Sequence, residues 1–143
     1  GNVFGEIYPI YEMSSYAKRV FSSENLSLCS KQRRVNFNTL HEFCTINKIT
    51  TLYSSIADGS IPYCFPIIVD DPATLQIKMR RDGIETEMSI NKPFLNEPYL
   101  TDLMDDFADL FYLADHVLSI PIHQNIGASQ NDHIKKSLLK NLK

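Results

Sequence analysis

Few residues of this 143-residue chain are of types and spacings that could do chemistry. Arg33 and Arg34 are adjacent, and a planar guanidinium fork suits phosphate oxygens. On a helix the same pair reads more simply as surface charge or as ion-pair partners of Glu24 or Glu42, which is the expectation. Glu85 and Glu87 are two residues apart, so an extended backbone places them on one face. Acid–base work by such a pair needs converging carboxylates and a raised pKa on one of them. A solvated strand face is the plainer reading. His41, His116, His123 and His133 are dispersed. The last three form a metal site only if the fold gathers them, and satisfied or exposed histidines are expected instead. Asp105, Asp106 and Asp109 read as a solvated helix face. No GxSxG elbow, phosphate-binding loop, HExxH pair or dinucleotide fingerprint occurs. Without a CxxC or HxxxH pair, no metal is expected either.

Composition narrows the classes. Apolar residues make up 43% of the chain and charged residues 22%, ordinary values for a globular domain with a hydrophobic core. A net charge of -3 argues against a general nucleic-acid binder, which needs a basic face. The basic clusters Lys31–Arg33–Arg34 and Lys78–Arg80–Arg81 are local, and acidic segments balance them. No apolar run is long enough for a bilayer, and the N-terminus lacks the pattern of a secretory signal. Neither a nucleic-acid nor a membrane partner is therefore expected. The three cysteines, Cys29, Cys44 and Cys64, have no paired spacing, which suggests reduced thiols in a cytoplasmic protein. Gly1 stands where an initiator methionine would, which leaves room for a natural start upstream.

The elements that must position these residues follow from periodicity. A lead-in over residues 1–9 precedes a weak helix over 11–22, and Ser22 to Asn25 read as a break with a cap. A longer helix over 25–47 carries Leu26, Cys29, Val35, Phe37, Leu40, Phe43, Cys44 and Ile46 at mostly three- and four-residue steps. A buried strand over 61–69 contains Pro62 and Pro66, which assign it to a sheet edge or mark its ends. Asp70, Asp71 and Pro72 start a helix over 72–82 that closes on Gly83. Ile84, Thr86 and Met88 alternate with Glu85, Glu87 and Ser89 as a half-buried strand. After an irregular stretch over 91–99, a helix over 100–116 has Leu100, Leu103, Phe107, Leu110, Phe111 and Leu113 as its core stripe. Residues 117–122 are a short strand closed by Pro121. Ser129 is placed to cap a last helix over 130–142 that buries Ile134, Leu138, Leu139 and Leu142. Met79, Met88 and Phe94 are expected in the core. The resulting fold is an α+β layer, a small sheet of three or four strands covered by helices. It forms a single domain over 1–143, with 1–23 a lead-in segment and helix and 24–143 the main unit.

The ordered segments QRRVNFNTLHEF, FPIIVDD, RRDGIETEM and ADHVLSIPIH resemble the C-terminal part of the DegT/StrS-type sugar aminotransferases, enzymes of fold type I that use pyridoxal phosphate (PLP). The helix pattern of that family is matched by Arg34, Asn38 and Leu40 around Phe37, and its "GI-x-T" turn by Gly83, Ile84 and Thr86. The family's closing "A-x-x-V/L-L-S-L-P-x-H" is matched by Ala114, Val117, Leu118, Ser119, Pro121 and His123, and its last helix by Ile134 and Leu138. The resemblance spans residues 30–143. Many members carry a His-Tyr pair shortly after "GI-x-T", where this sequence has Met88, Ser89 and Ile90, so the substrate class stays open.

The resemblance implies amino transfer to a keto-sugar nucleotide from a donor such as glutamate, and a domain like the small C-terminal one of fold type I enzymes. It also implies that the cofactor lysine lies in a large domain upstream. None of Lys18, Lys31, Lys48, Lys78 or Lys92 stands in the family's Ser-x-x-Lys context after a strand. No catalytic or cofactor-binding residue is therefore assigned, and PLP is expected only in a full-length enzyme. By position, Glu85 to Lys92 approaches the substrate, with Lys92 as an anion contact and Glu85 beside it. As an enzyme fragment, the chain would dock on the large PLP-binding domain through an apolar patch of Tyr8, Tyr11, Tyr16 and Phe21. The alternative is a free-standing, non-catalytic binding or assembly module derived from such a domain. In either case a two-fold homodimer is the simplest self-association.

Overall fold

The computed structural model describes residues 13–20, 23–88 and 108–142. Their elements run α1 (Ser15–Val20), α2 (Ser23–Ile46), β1 (Cys64–Ile68), α3 (Pro72–Arg81), β2 (Glu87–Met88), α4 (Ala108–His116), β3 (Val117–Pro121) and α5 (Ala128–Asn141). The α+β class and the order of the described elements are as the periodicity predicts. The three strands form an antiparallel sheet in the order β1-β3-β2.

Register divides each strand between two faces. Phe65 pairs with Ile120 and Ile67 with Leu118, and Met88 lies on the other side of Leu118. These residues face the helices. Together with Phe37, Leu40 and Cys44 of α2, Leu75 and Met79 of α3, and Ile134 and Leu138 of α5, they form the hydrophobic core. Phe37 meets Phe65 edge to face, with ring centroids 4.8 Å apart. Burial raises the Cys44 thiol to about 11, so this cysteine is a core apolar group rather than a nucleophile. The intervening residues Cys64, Pro66, Ser119, Pro121 and Glu87 belong to the second face.

Pro66 lies in the middle of a strand, and the hydrogen bonds explain why it is tolerated. Its carbonyl accepts from the Leu52 amide at 3.1 Å, and the Ile68 amide donates to the Thr50 carbonyl at 2.9 Å. A residue's amide and carbonyl point to the same side of a strand, so the donor that Pro66 lacks would face outward, away from β3. Thr51 bridges Ile67 there and covers the edge.

Two helix ends are closed by the same device. At α3, the Ile84 amide donates to Met79 and the Gly83 amide to Arg80, with Gly83 at φ +81°. At α2, the Ile49 amide donates to Cys44 and the Lys48 amide to Thr45, with Lys48 at φ 57°. Both are Schellman turns, but only one has the glycine that the left-handed conformation favours. Asp71 caps the start of α3 by accepting from the Thr74 amide at 2.9 Å, and hydrogen bonding to Thr74 holds its carboxyl below the usual range.

Several boundaries and stripes differ from the sequence reading. Ser23 lies in the first turn of α2, not in a break before it. The strand expected over 61–69 narrows to Cys64–Ile68, which leaves Pro62 outside it, and of the one expected over 84–89 the described residues are strand only at Glu87–Met88. Ser129 does not cap α5. The helix starts earlier, after Gly127, whose amide donates back to the Gln130 side chain at 3.1 Å. Leu139 and Leu142 are 40% and 37% exposed, because the inward stripe of α5 runs through Asn131, Ile134, Ser137 and Leu138. On α2, Leu26, Val35 and Ile46 are likewise exposed, while Phe37, Leu40 and Cys44 carry the packing. Residues 100–107 and Phe94 lie outside the described residues.

Candidate functional site

The second face of the sheet borders a cleft of about 390 Å³. Arg33 of α2, Tyr63 and Cys64 at the start of β1, and His123 line one part of it; Ser119 of β3 with Glu85 and Glu87 line the rest. Each side chain arrives there for a local reason. Strand alternation puts Cys64, Ser119 and Glu87 on one face, and the Cys64 thiol lies 3.3 Å from the Ser119 hydroxyl. Glu85, two residues before Glu87, keeps to the same side. Thr86 between them is buried, and its carbonyl accepts from Gln76 at 2.7 Å while its hydroxyl has no partner among the described residues.

Among the described residues the acceptors given for the arginine pair are neutral and Glu42 is not one of them, while the Glu24 side chain lies outside the described residues. Arg33 donates from Nε to the Gln124 side chain at 2.9 Å, and from Nη1 to the carbonyls of Pro62 at 3.3 Å and Tyr63 at 3.4 Å. Arg34 donates from Nη1 to the carbonyls of Ala57 at 3.1 Å and Ser60 at 2.7 Å. The turn at Asp58 and Gly59 leaves loop carbonyls without strand or helix partners, and the two guanidinium groups supply the donors. The Arg33 guanidinium carbon also stands 5.9 Å from the centre of the Tyr63 ring, which is 76% exposed.

Glu85 pairs with Arg80 at 3.4 Å, both side chains being largely exposed. It lines the cleft, but as half of a solvated pair. Lys92, the anion contact expected from the resemblance, lies outside the described residues, as do Tyr8, Tyr11 and Phe21 of the expected docking patch. Tyr16 of that patch is exposed on α1. Lys18 follows Ser15 at Ser-x-x-Lys spacing, but both lie within the helix α1.

The histidines have separate partners. His41 stacks near Phe37, His116 bonds through Nδ1 to the Tyr112 carbonyl at 2.7 Å, and His133 bonds through Nε2 to the Asp82 carbonyl at 2.7 Å. Among the described residues, no three His, Cys, Asp or Glu side chains are grouped to hold a metal ion. No helix among them is long and apolar enough to cross a membrane.

Two polar centres went unnoticed in the sequence. Asn36 is fully buried and donates to the carbonyls of His123 at 3.0 Å and Ile126 at 3.1 Å; its side-chain oxygen accepts from Gln32 at 2.9 Å and Asn131 at 3.0 Å. It ties α2 to the segment that carries His123 and to α5, and so fixes one wall of the cleft. The second centre is Asp82, whose carboxylate accepts from Lys140 at 2.8 Å, Ser137 at 2.8 Å and Asn141 at 2.9 Å. Those hydrogen bonds, the one from Lys140 foremost, lower its pKa to about 2. A mid-helix Asn and an Asp before the closing Gly carry no motif that marks them, since the partners lie far along the chain.

Several solved structures share this fold. The sugar aminotransferase CalS13 of Micromonospora echinospora matches at a TM-score of 0.67 and 16% identity, over 82% of this chain and 32% of that one. PseC of Helicobacter pylori, an aminotransferase involved in the biosynthesis of pseudoaminic acid, matches at 0.65 and 19%, over 83% and 34%. A DegT DnrJ EryC1 StrS aminotransferase of Brucella abortus matches at 0.63 and 14%, over 83% and 33%. No protein-family model and no curated protein matches the sequence. At these identities the likeness shows the fold. The chain spans about a third of the length of the structures it resembles.

Proposed function

We propose that this chain is the small C-terminal domain of a PLP-dependent nucleotide-sugar aminotransferase and is not catalytically competent alone. The observation that carries the reading is the fold match to sugar aminotransferases over four-fifths of this chain but only a third of theirs. The order of the sequence segments around Gly83 and His123 also supports it.

The residues lining this cleft do not fit the cofactor. Holding PLP takes a lysine and a phosphate cup, and none of the described residues lining the cleft is a lysine. No step of the reaction is therefore assigned to this domain. Its part in the proposed enzyme is to supply one wall of the substrate site, docked against a large PLP-binding domain. The test is to purify the natural-length gene product and measure transfer of ¹⁵N from glutamate to a nucleotide-linked keto sugar. Labelled amino sugar and retained PLP are expected. A product that is no longer than this chain, or that neither holds PLP nor transfers nitrogen, overturns the reading in favour of a binding module.

A further inference from the structure

We propose that the remaining edge of the Arg33 guanidinium, with His123 beside it, is a subsite for the oxyanion of a small ligand. The inference stands apart from the aminotransferase reading, because it rests on the cleft alone. Arg33 is half-buried, and the acceptors given for its Nε and Nη1 donors are all neutral: one side-chain amide and two backbone carbonyls. Those bonds orient the group without cancelling its charge. No carboxylate among the described residues is paired with it, and its Nη2 has no acceptor among them. Arg33 lines the cleft.

His123 adds a second donor. The Asn125 amide donates to its Nδ1 at 3.3 Å, which puts the ring proton on Nε2. Tyr63 supplies an apolar plane next to the guanidinium. An oxyanion placed here gains charge-assisted hydrogen bonds, and the arginine is already held in place by its loop contacts, so little side-chain freedom is lost on binding. Besides Glu85, which is paired with Arg80, the cleft is lined by Glu87 on β2, a strand separated from β1 by β3. That carboxylate favours a ligand whose other end carries hydroxyl or ammonium donors rather than a second anion. A phosphate ester and a carboxylate both meet this description, and their shared chemistry is the oxyanion.

Arg34 provides the control. It holds the same loop through Ala57 and Ser60 but is not among the residues lining the cleft. The experiment is an NMR titration of the whole chain with inorganic phosphate and, separately, with acetate, following the Arg33 Nε–H, Tyr63 and His123 signals. Saturable shifts are expected with at least one anion, and which one responds distinguishes phosphate from carboxylate. Arg33→Gln is expected to weaken binding about tenfold, the loss of one charge-assisted contact. Arg34→Gln is expected to keep the affinity within about twofold. His123→Ala, which leaves the Arg33 loop contacts intact, is expected to weaken binding severalfold, so the test survives a poorly folded Arg33 variant. The proposal is overturned if neither anion gives a saturable shift, if Arg33→Gln and Arg34→Gln weaken binding equally, or if His123→Ala changes nothing.

Discussion

The two faces of the sheet are built from alternate residues of the same strands, yet they obey different constraints. On the helix-covered face, Phe65, Ile67, Leu118 and Ile120 are all fully buried and aliphatic or aromatic. On the second face their neighbours are Cys64, Pro66, Ile68, Val117, Ser119, Pro121 and Glu87; Val117 is buried, but the cleft beside Cys64 and Ser119 mixes thiol, hydroxyl, carboxylate, imidazole and guanidinium groups. The first face is under a packing constraint, in which any hydrophobic side chain of the right volume serves. The second places polar groups toward a cavity, which packing alone would not select. The difference suggests that stability and binding in this domain can be altered separately, one residue apart along a strand.

Substitutions in β1 test this most strongly. Phe65→Ala is expected to cost about 4 kcal/mol, from lost transfer energy and the cavity left beside Phe37. Its neighbour Cys64→Ala is expected to cost under about 1 kcal/mol. Urea unfolding checks both; comparable losses would remove the distinction between the faces.

Asn36→Ala comes next, at about 3 kcal/mol, because it leaves the buried Asn131 amide and the carbonyls of His123 and Ile126 short of partners. The same variant sharpens the comparison, since it should also loosen the His123 wall of the cleft. Faster amide exchange over residues 122–126 than elsewhere is the expected signature.

The paired Schellman turns give smaller effects of opposite sign. Gly83→Ala is expected to cost about 1 kcal/mol through its positive φ, there being nothing near enough for an added Cβ to meet. Lys48→Gly is expected to gain about 1 kcal/mol at the equivalent position of α2. If both changes destabilise, Lys48 is held by contacts beyond its backbone conformation.

The least visible effect at neutral pH concerns Asp82. Its folded pKa is lowered to about 2 from the ordinary 3.8, so the stability it provides is fully present above pH 3.8. That contribution is lost as the pH falls from 3.8 toward 2. An Asp82→Asn variant should therefore show a flatter dependence of unfolding free energy on pH across that window, and an unchanged slope would contradict the Lys140, Ser137 and Asn141 cluster.

Most of the fold was legible because it rests on local signals. The Asp71 cap, the Gly83 turn and the alternation from Ile84 to Met88 are each read within a few residues. Leu139 and Leu142 misled because periodicity counts apolar residues, while α5 turns polar Ser137 and Asn141 inward to meet Asp82. The candidate site was less legible. Glu85 and Glu87 were visible as a same-face pair, but Arg33, Tyr63, Ser119 and His123 are brought to the cleft by long-range contacts spanning up to 91 residues. Arg33 and Arg34 donate to carbonyls of the loop over 57–63, contacts 23 to 30 residues apart that no local pattern marks.

The central claim, that this domain forms one wall of a larger aminotransferase, is tested most directly by sequencing the source DNA upstream of the codon for Asn2. The account predicts an open frame encoding a large α/β domain with a cofactor lysine in a Ser-x-x-Lys context after a strand. A start codon immediately upstream, with no such domain, would contradict it.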